Sequence, residues 1–594
     1  MPRNVVEESL VRLAVFSNGI QLDETIQIVS VELSKSLNKI SMASLIVLDG
    51  DMPGKDFPIS NAAHFKPGND IQIKAGYDQD EATIFQGVIV KHGIRITGNN
   101  YSRLVIECRD KAVGMTIGRR NATYLDSKDS DIIAKLVSHY SGLSSDVEAS
   151  QTTYKELVQY YCTDWDFLLS RAEVNGMVVI VDDGKVTVQP PQTAASPVLT
   201  VTYGEDLMEF EADVEARTQL TSVKGIAWNL QNQAVVEQEV TPQALNAQGD
   251  IDSAALASVV GPKSFRLQTT IPMEQTALKA WAHGRQVKAG LARIRGYMKF
   301  QGNAKAKIGG LIELVGVGNR FNGKVFVSAV HHEIANGNWV TTVEFGMSPD
   351  WFAEQRDLVS PSASGLLPGV EGLQIGVVKA LHEDPDGERK IQVTVPVLQA
   401  EPEGVWARLA TWYGSDGIGA FFIPEIGDEV VLGYLNNDPC HPVILGSLYS
   451  SKRKPPYDLT AENGIKAIVT KSKLRLEFDD EKKMITIVTP GKNTVVVSDE
   501  DQSLLLKDQH GNTVKLNSEG ILMDSPKDIA ITAKGTMTLN AVGNMSLNSK
   551  ADMTLAGLNI NHSANIGFVA KGNASAELSA SGQTTVKGAM VMIN

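Results

Sequence analysis

A few short stretches hold residue types able to do chemistry. Cys440-His441 places a thiol beside an imidazole, the pair that activates a nucleophilic cysteine. Neighbours on an extended chain point to opposite faces, however, so the two cannot easily meet, and a loop is the better reading. His331-His332-Glu333 offers metal-ligating side chains. Only alternate residues of a strand share a face, and no third ligand is in view, so a strand reads better here too. Gly316-Val317-Gly318 lacks the third glycine and the following helix of a nucleotide-binding loop. Asp182-Asp183-Gly184 and Asp479-Asp480-Glu481 read as turns between strands, the first with the Asp-Gly hairpin sequence. Asn121-Ala122-Thr123 and Asn573-Ala574-Ser575 match glycosylation acceptors, which mean nothing without a secretory route. No residue is assigned to catalysis, to a cofactor or to a metal.

Composition narrows the classes further. The 594 residues carry 55 Lys+Arg against 69 Asp+Glu, a formal net charge of −14. Gripping a phosphate backbone needs a basic stripe, so nucleic acid is not the expected partner. Cys108, Cys162 and Cys440 are too few and too scattered for a disulfide framework or a zinc site. No apolar run approaches the roughly 18–20 residues of a membrane span, so no stable membrane insertion is expected. Acids at Glu7 and Glu8 stand where a secretory signal needs its apolar stretch, which predicts synthesis in the cytoplasm without a signal peptide. At roughly 100–200 residues per domain, several domains are expected.

The elements that must position these residues change along the chain. Period-two alternation at Ile26–Val31, Asp70–Lys74, Thr83–Val90 and Arg103–Cys108 predicts strands. Helices are predicted over Ser127–Val137, over Asp164–Glu173 with a stop at Asn175-Gly176, and over about Thr276–Ile294. Strands resume at Leu311–Leu314 and Lys324–Val327. Val359–Gly365, with Pro368-Gly369 soon after, has a linker's composition. Short strands at Gln374–Val378, Lys390–Val395, Val405–Leu409 and Glu429–Tyr434 then suit a small OB-like barrel.

Beyond Tyr457 the aromatics nearly vanish, and an eight-residue repeat takes over. Ile529, Met537, Met545 and Met553 stand eight apart, and Ile531, Leu539, Leu547 and Leu555 repeat the interval two residues later. Gly535, Gly543 and Ala551 hold the small position. Past Asn561 the register drifts, but Ile566, Phe568 and Ala570, then Ala576 and Leu578, then Thr584 and Val586 keep the texture. A strand this short with one apolar face cannot bury that face alone. Three intertwined copies can, each octad forming one side of a triangular prism that rises about 4.8 Å per layer. Every backbone donor then finds a neighbour and no side edge remains. The ladder residues are therefore assigned to the core of a homotrimeric β-helix, a narrow and stiff needle.

At this point the residues resemble a family, the VgrG-type spike proteins of contractile injection systems. Cys162-Thr163-Asp164-Trp165-Asp166-Phe167-Leu168, followed by Glu173 and Gly176, is similar to the family's hub helix. Pro424, Gly427, Asp428, Glu429 and Val430, then Asp438, Pro439, Pro442, Gly446 and Tyr449, resemble the signature of the spike's OB domain, with Asn437 where the family usually has Gly. The resemblance implies a mainly β, multidomain chain. Residues 1–358 would form a hub of two tube-like β-barrels with helical insertions, 359–372 a linker, 373–450 an OB-fold barrel and 451–594 a trimeric β-helix. It further implies a homotrimer whose N-terminal hub meets the six-fold inner tube and the baseplate. A PAAR-type tip protein would cover the C-terminal end at Val591, Met592, Ile593 and Asn594, and effector cargo could ride on either.

The expected function is a non-enzymatic spike that punctures a target envelope. Some phage relatives insert a lysozyme domain after the OB domain, but the fifteen or so residues before Ile465 cannot hold a domain of ~150 residues. The sequence given also ends in rod-like sequence, without an appended effector. Some needles of the family end in a His-x-His tip that binds an ion. His562 stands alone some thirty residues from Asn594, so no self-made metal point is expected. Two other classes compete with it, an envelope-degrading or effector-bearing spike enzyme and a trimeric β-rod adhesin. The compact length favours an extracellular phage-tail-like particle over type VI secretion or a phage tail.

Overall fold

The computed structural model describes residues 10–593 apart from 79, 99–100, 231, 262, 356–357 and 399–403. The chain divides into two compact units, Met1–Leu448 and Tyr449–Asn594. It is mainly β, as the alternation predicts.

Among the described residues, the first unit is built on a thirteen-stranded sheet. Strand Met42–Leu48 shows why the pattern works: Ala43, Leu45 and Val47 are buried, and the residues between them face outward. Leu104, Ile106 and Cys108 do the same on Tyr101–Arg109, its antiparallel neighbour. Cys108 is thus a core residue, and burial pushes its thiol up to about 12. The sheet covers two apolar cores. One gathers Val31, Leu45, Phe65, Phe85 and Ile106, the other Met298, Leu311, Phe326, Val343 and Phe345. Strand Gly323–Ala335 joins them, placing Phe326 and Val330 in the second core and Ile334 in the first.

A third core is helical on one side. Helices Asp129–Ser138 and Asp164–Val174 pack Ile133, Leu136, Trp165 and Leu168 against Val179 and Val188 of the hairpin Val178–Asp182/Lys185–Gln189. Asp183 and Gly184 form the two-residue turn of that hairpin, the role their sequence predicted. The third predicted helix runs from Gln275 to Leu291. Five strands, Gln374–Ala380, Ile391–Thr394, Val405–Leu409, Glu429–Tyr434 and Pro442–Ser447, close the small barrel around Val393, Val430, Leu432 and Ile444.

The segment read from composition as a linker is less free than its Ser, Gly and Pro content suggested. Ala363 is buried, and Ser364 and Ser362 accept hydrogen bonds from the Asn436 and Asn437 side chains at 3.0 and 3.3 Å. The Val370 N–H donates to the Asn437 carbonyl at 2.8 Å. Serine hydroxyls that look like solvated linker in sequence are here the groups that pin the connection.

In the second unit, seven strands of five residues each form an antiparallel meander from Ile465–Val469 to Gly520–Asp524. From Ser525 onward the chain is extended and bends at regular intervals. Among the described residues there, no backbone hydrogen bond joins one part of the chain to another.

Candidate functional site

Helix Asp164–Val174 is a knot of internal contacts. Thr163 caps it, its hydroxyl accepting from the Asp166 N–H at 3.0 Å. Asp164 is buried and accepts from the Tyr140 hydroxyl at 2.7 Å and the Gln159 amide at 2.8 Å, with Arg120 at 3.5 Å. Burial and that bond to the carboxylate push Tyr140 up to about 12. Trp165 and Phe167 fill the third core. Glu173 pairs with Lys288 of the long helix and accepts from the Phe352 N–H at 2.6 Å. Gly176 follows the helix at φ +68°, the left-handed position a terminating glycine takes. A Cβ on Gly176 would lie 3.2 Å from the Gly284 Cα, and one on Gly284 would lie 2.6 Å from the Glu173 carbonyl. The motif residues thus fix two helices together at glycine distance and present no reactive group.

The OB residues build two connections of the barrel. The Gly427 N–H donates to the Val378 carbonyl at 2.7 Å, and the Asp428 carboxylate accepts from the Glu425 N–H at 2.8 Å, which turns the chain after Pro424 into strand Glu429–Tyr434. That strand pairs with Pro442–Ser447, from Val430 opposite Ser447 to Tyr434 opposite Pro442, so Gly446 stands opposite Val431. Between them, Asp438 accepts from the Cys440 N–H at 2.8 Å and pairs with His441 at 3.3 Å. The imidazole therefore serves this turn beside Pro439, and Cys440 is an exposed loop thiol. Asn437 sits at φ +58°. Asparagine tolerates that backbone region better than other side-chain-bearing residues, which accounts for Asn where the family has Gly. Tyr449 is exposed, as are Trp412 and Phe421 of the barrel's neighbouring loop.

The two histidines of His331-His332 separate as strand geometry requires. His331 faces outward to Glu344 at 3.2 Å. His332 is buried, and its Nδ1 lies 2.9 Å from the Thr341 hydroxyl and accepts from the Trp339 indole N–H at 3.3 Å. Burial, with Lys35 and His331 nearby, lowers its pKa to about 3. Among the described residues of one chain, no group of three or more His, Cys, Asp and Glu could hold a metal ion.

The second unit displays its apolar residues in files. Across the meander, Leu476 opposes Ile487, which opposes Val495, then Leu506, Val514 and Met523. A parallel file runs Phe478, Ile485, Val497, Leu504, Leu516 and Ile521. Sequence reasoning missed these files because the hairpins advance by unequal steps of seven to ten residues, which hides them from a search for one fixed period. The signal available was the recurring i, i+2 pair of apolar residues. Beyond the meander, Ile529, Ile531, Met537, Leu539, Met545, Leu547, Met553 and Leu555 all lie exposed, between 49% and 67%. Val591, Met592 and Ile593 are exposed as well, and Asn594 lies outside the described residues.

Comparison with known proteins bears on the barrel and on the part of the chain before it. The Alg8 N-terminal domain family matches residues 7–336, and the "Type VI secretion system/phage-baseplate injector OB domain" matches residues 374–449. The type VI secretion system spike protein VgrG5 of Pseudomonas aeruginosa is 36% identical over 99 residues, which is 16% of this chain and 12% of that protein. The actin cross-linking toxin VgrG1 of Vibrio cholerae is 35% identical over 77 residues, 13% of this chain and 6% of the toxin. The chain thus aligns with only a small part of these relatives' length. Among solved structures, the 43 kDa tail protein of prophage MuSo2 from Shewanella oneidensis covers 57% of this chain and 99% of its own, at 10% identity and a TM-score of 0.42. The chain is similar to VgrG-type spike proteins, and its match over residues 7–336, more than half of its length, shows that it belongs to the Alg8 N-terminal domain family.

Proposed function

We propose that this chain is the non-enzymatic, homotrimeric spike of a contractile injection machine. Residues 1–358 form the hub that joins a three-fold tip to a six-fold inner tube and its baseplate. Residues 373–450 form the collar, and 451–594 the needle. A PAAR-type protein covers the end at Val591–Ile593, and effectors ride on the cap or the spike. The machine is an extracellular phage-tail-like particle, a type VI system or a phage tail.

One observation carries the reading: the apolar files of the second unit, from Leu476 to Met592, are left largely uncovered by the chain's own atoms. Side chains of this kind stabilise by ~1.5–3 kcal/mol each when buried, and so many in register on one face call for a partner with the same period. A second and a third copy of the chain satisfy that requirement. Extended segments without internal backbone bonds call for the same thing, since buried N–H and C=O groups must be paired. Light scattering tests it directly. The full chain should weigh 3 × 64.1 ≈ 192 kDa, and truncation near residue 460 should weaken the association. A stable, folded 64.1 kDa monomer would remove the means by which the files are buried, and the needle reading with it.

A further inference from the structure

The bends of the C-terminal segment show what the drifting register conceals. They fall at Pro526-Lys527, Lys534-Gly535, Val542-Gly543 and Lys550-Ala551, eight residues apart, and each is followed at two and four residues by a ladder pair. A single bend at Leu558 follows, eight residues after Lys550 and seven before Asn565, so the spacing shortens by one residue across it. Eight-residue spacing then returns at Asn565-Ile566, Asn573-Ala574, Ser581-Gly582 and Ala589-Met590. The drift is therefore a single one-residue skip. Counting two and four residues from Leu558 places Ile560 and His562 on the ladder, ahead of Phe568/Ala570, Ala576/Leu578 and Thr584/Val586.

His562 is then the one titratable side chain on the ladder from Ile529 to Met592. Its ring stacks on Phe568 of the next unit, centroids 6.0 Å apart and planes 29° from parallel, so the imidazole lies on the ladder face. The rungs on either side offer Leu555 and Ala570 at the matching position, neither able to accept or donate a hydrogen bond. A buried imidazole without a partner is costly. Ala570 is also smaller than the Leu or Ile of the earlier rungs, which leaves room beside the ring.

We infer that the three His562 imidazoles of the trimer converge on the axis and bind one divalent transition-metal ion. This rests on the trimeric reading above, because each copy supplies one ligand. Neutral imidazole nitrogens suit Zn, Ni, Cu and Fe ions, and three leave further coordination positions open along the axis. The skip serves this site: with eight-residue spacing unbroken, Asn561 and Ser563 would occupy the two positions instead.

The test uses the full chain, stripped with chelator, mixed with Zn2+ and separated from free metal. Metal content is measured by mass spectrometry and oligomer mass by light scattering on the same sample. One Zn2+ per three chains is expected for the parent, and at least a tenfold loss in His562→Ala at unchanged trimer mass. His562→Asn keeps a polar group and serves the same comparison should the alanine variant fail to assemble. A parent trimer holding no more Zn2+ than either variant would overturn the site. A monomeric parent would instead indict the trimer, and the two failures are told apart by the mass.

Discussion

At the scale of single residues, the alternation of a strand separates His331 from His332, and this much was legible in sequence. Which of the two faces inward was not, because that depends on Trp339 and Thr341 across the sheet. The consequence is a titration. The folded pKa of His332 lies at about 3, below the ~6.5 of an unfolded histidine. Between these values the unfolded chain binds the extra proton, so stability is full above pH ~6.5 and falls as pH drops through that window. The slope is at most ~1.4 kcal/mol per pH unit. The first unit's melting temperature should therefore fall more steeply between pH 7.5 and 5 in the parent than in His332→Gln, which cannot take up a proton. Parallel curves would mean that His332 is solvated when the ring is charged. Asn437 makes a similar point about legibility. Its departure from the family's glycine looks like a loss in sequence, yet a φ of +58° makes asparagine an apt substitute.

At the scale of elements, the helices were readable from caps and spacing: Asp164–Val174 begins at its Thr163 cap and ends before Gly176. The pairing of that helix with Gln275–Leu291 was not readable, because Gly176 and Gly284 are far apart in sequence and look like ordinary helix-end and mid-helix glycines. Gly284→Ala separates the two views. By intrinsic propensity alanine should stabilise a helix interior by up to ~1 kcal/mol. The added Cβ, however, would stand 2.6 Å from the Glu173 carbonyl and 3.0 Å from the Gly176 nitrogen, both backbone atoms that cannot step aside alone. The clash should win, for a net loss of ~1–3 kcal/mol and a lower melting temperature of the first unit. A midpoint equal to or above the parent's would show that the two helices part without cost. The meander taught the opposite lesson. Its strands alternate clearly, but the variable hairpin lengths kept its two apolar files from appearing as one repeat.

At the scale of the whole molecule, the octad ladder was the clearest message in the sequence, since a constant period survives without any knowledge of tertiary contacts. Its inward assignment is a claim about an assembly, and it can be set against a matched outward position. Met545 is 53% exposed on the ladder, whereas Val542 is fully exposed at a bend. In a three-fold prism, Met545→Asp places three carboxylates around one axis, each stripped of water and without a partner. Uncompensated burial of that kind costs several kcal/mol per ion. Val542→Asp places its three carboxylates on the outside, where solvent and salt screen them. The expected result is a trimer that dissociates or melts well below the parent for Met545→Asp, and one within a degree or two of it for Val542→Asp. Because both variants add the same charge within one octad, net charge and local composition cannot produce the difference. Equal behaviour of the two would mean that the ladder faces water in the assembled protein, and the apolar files would then need some cover other than their own copies.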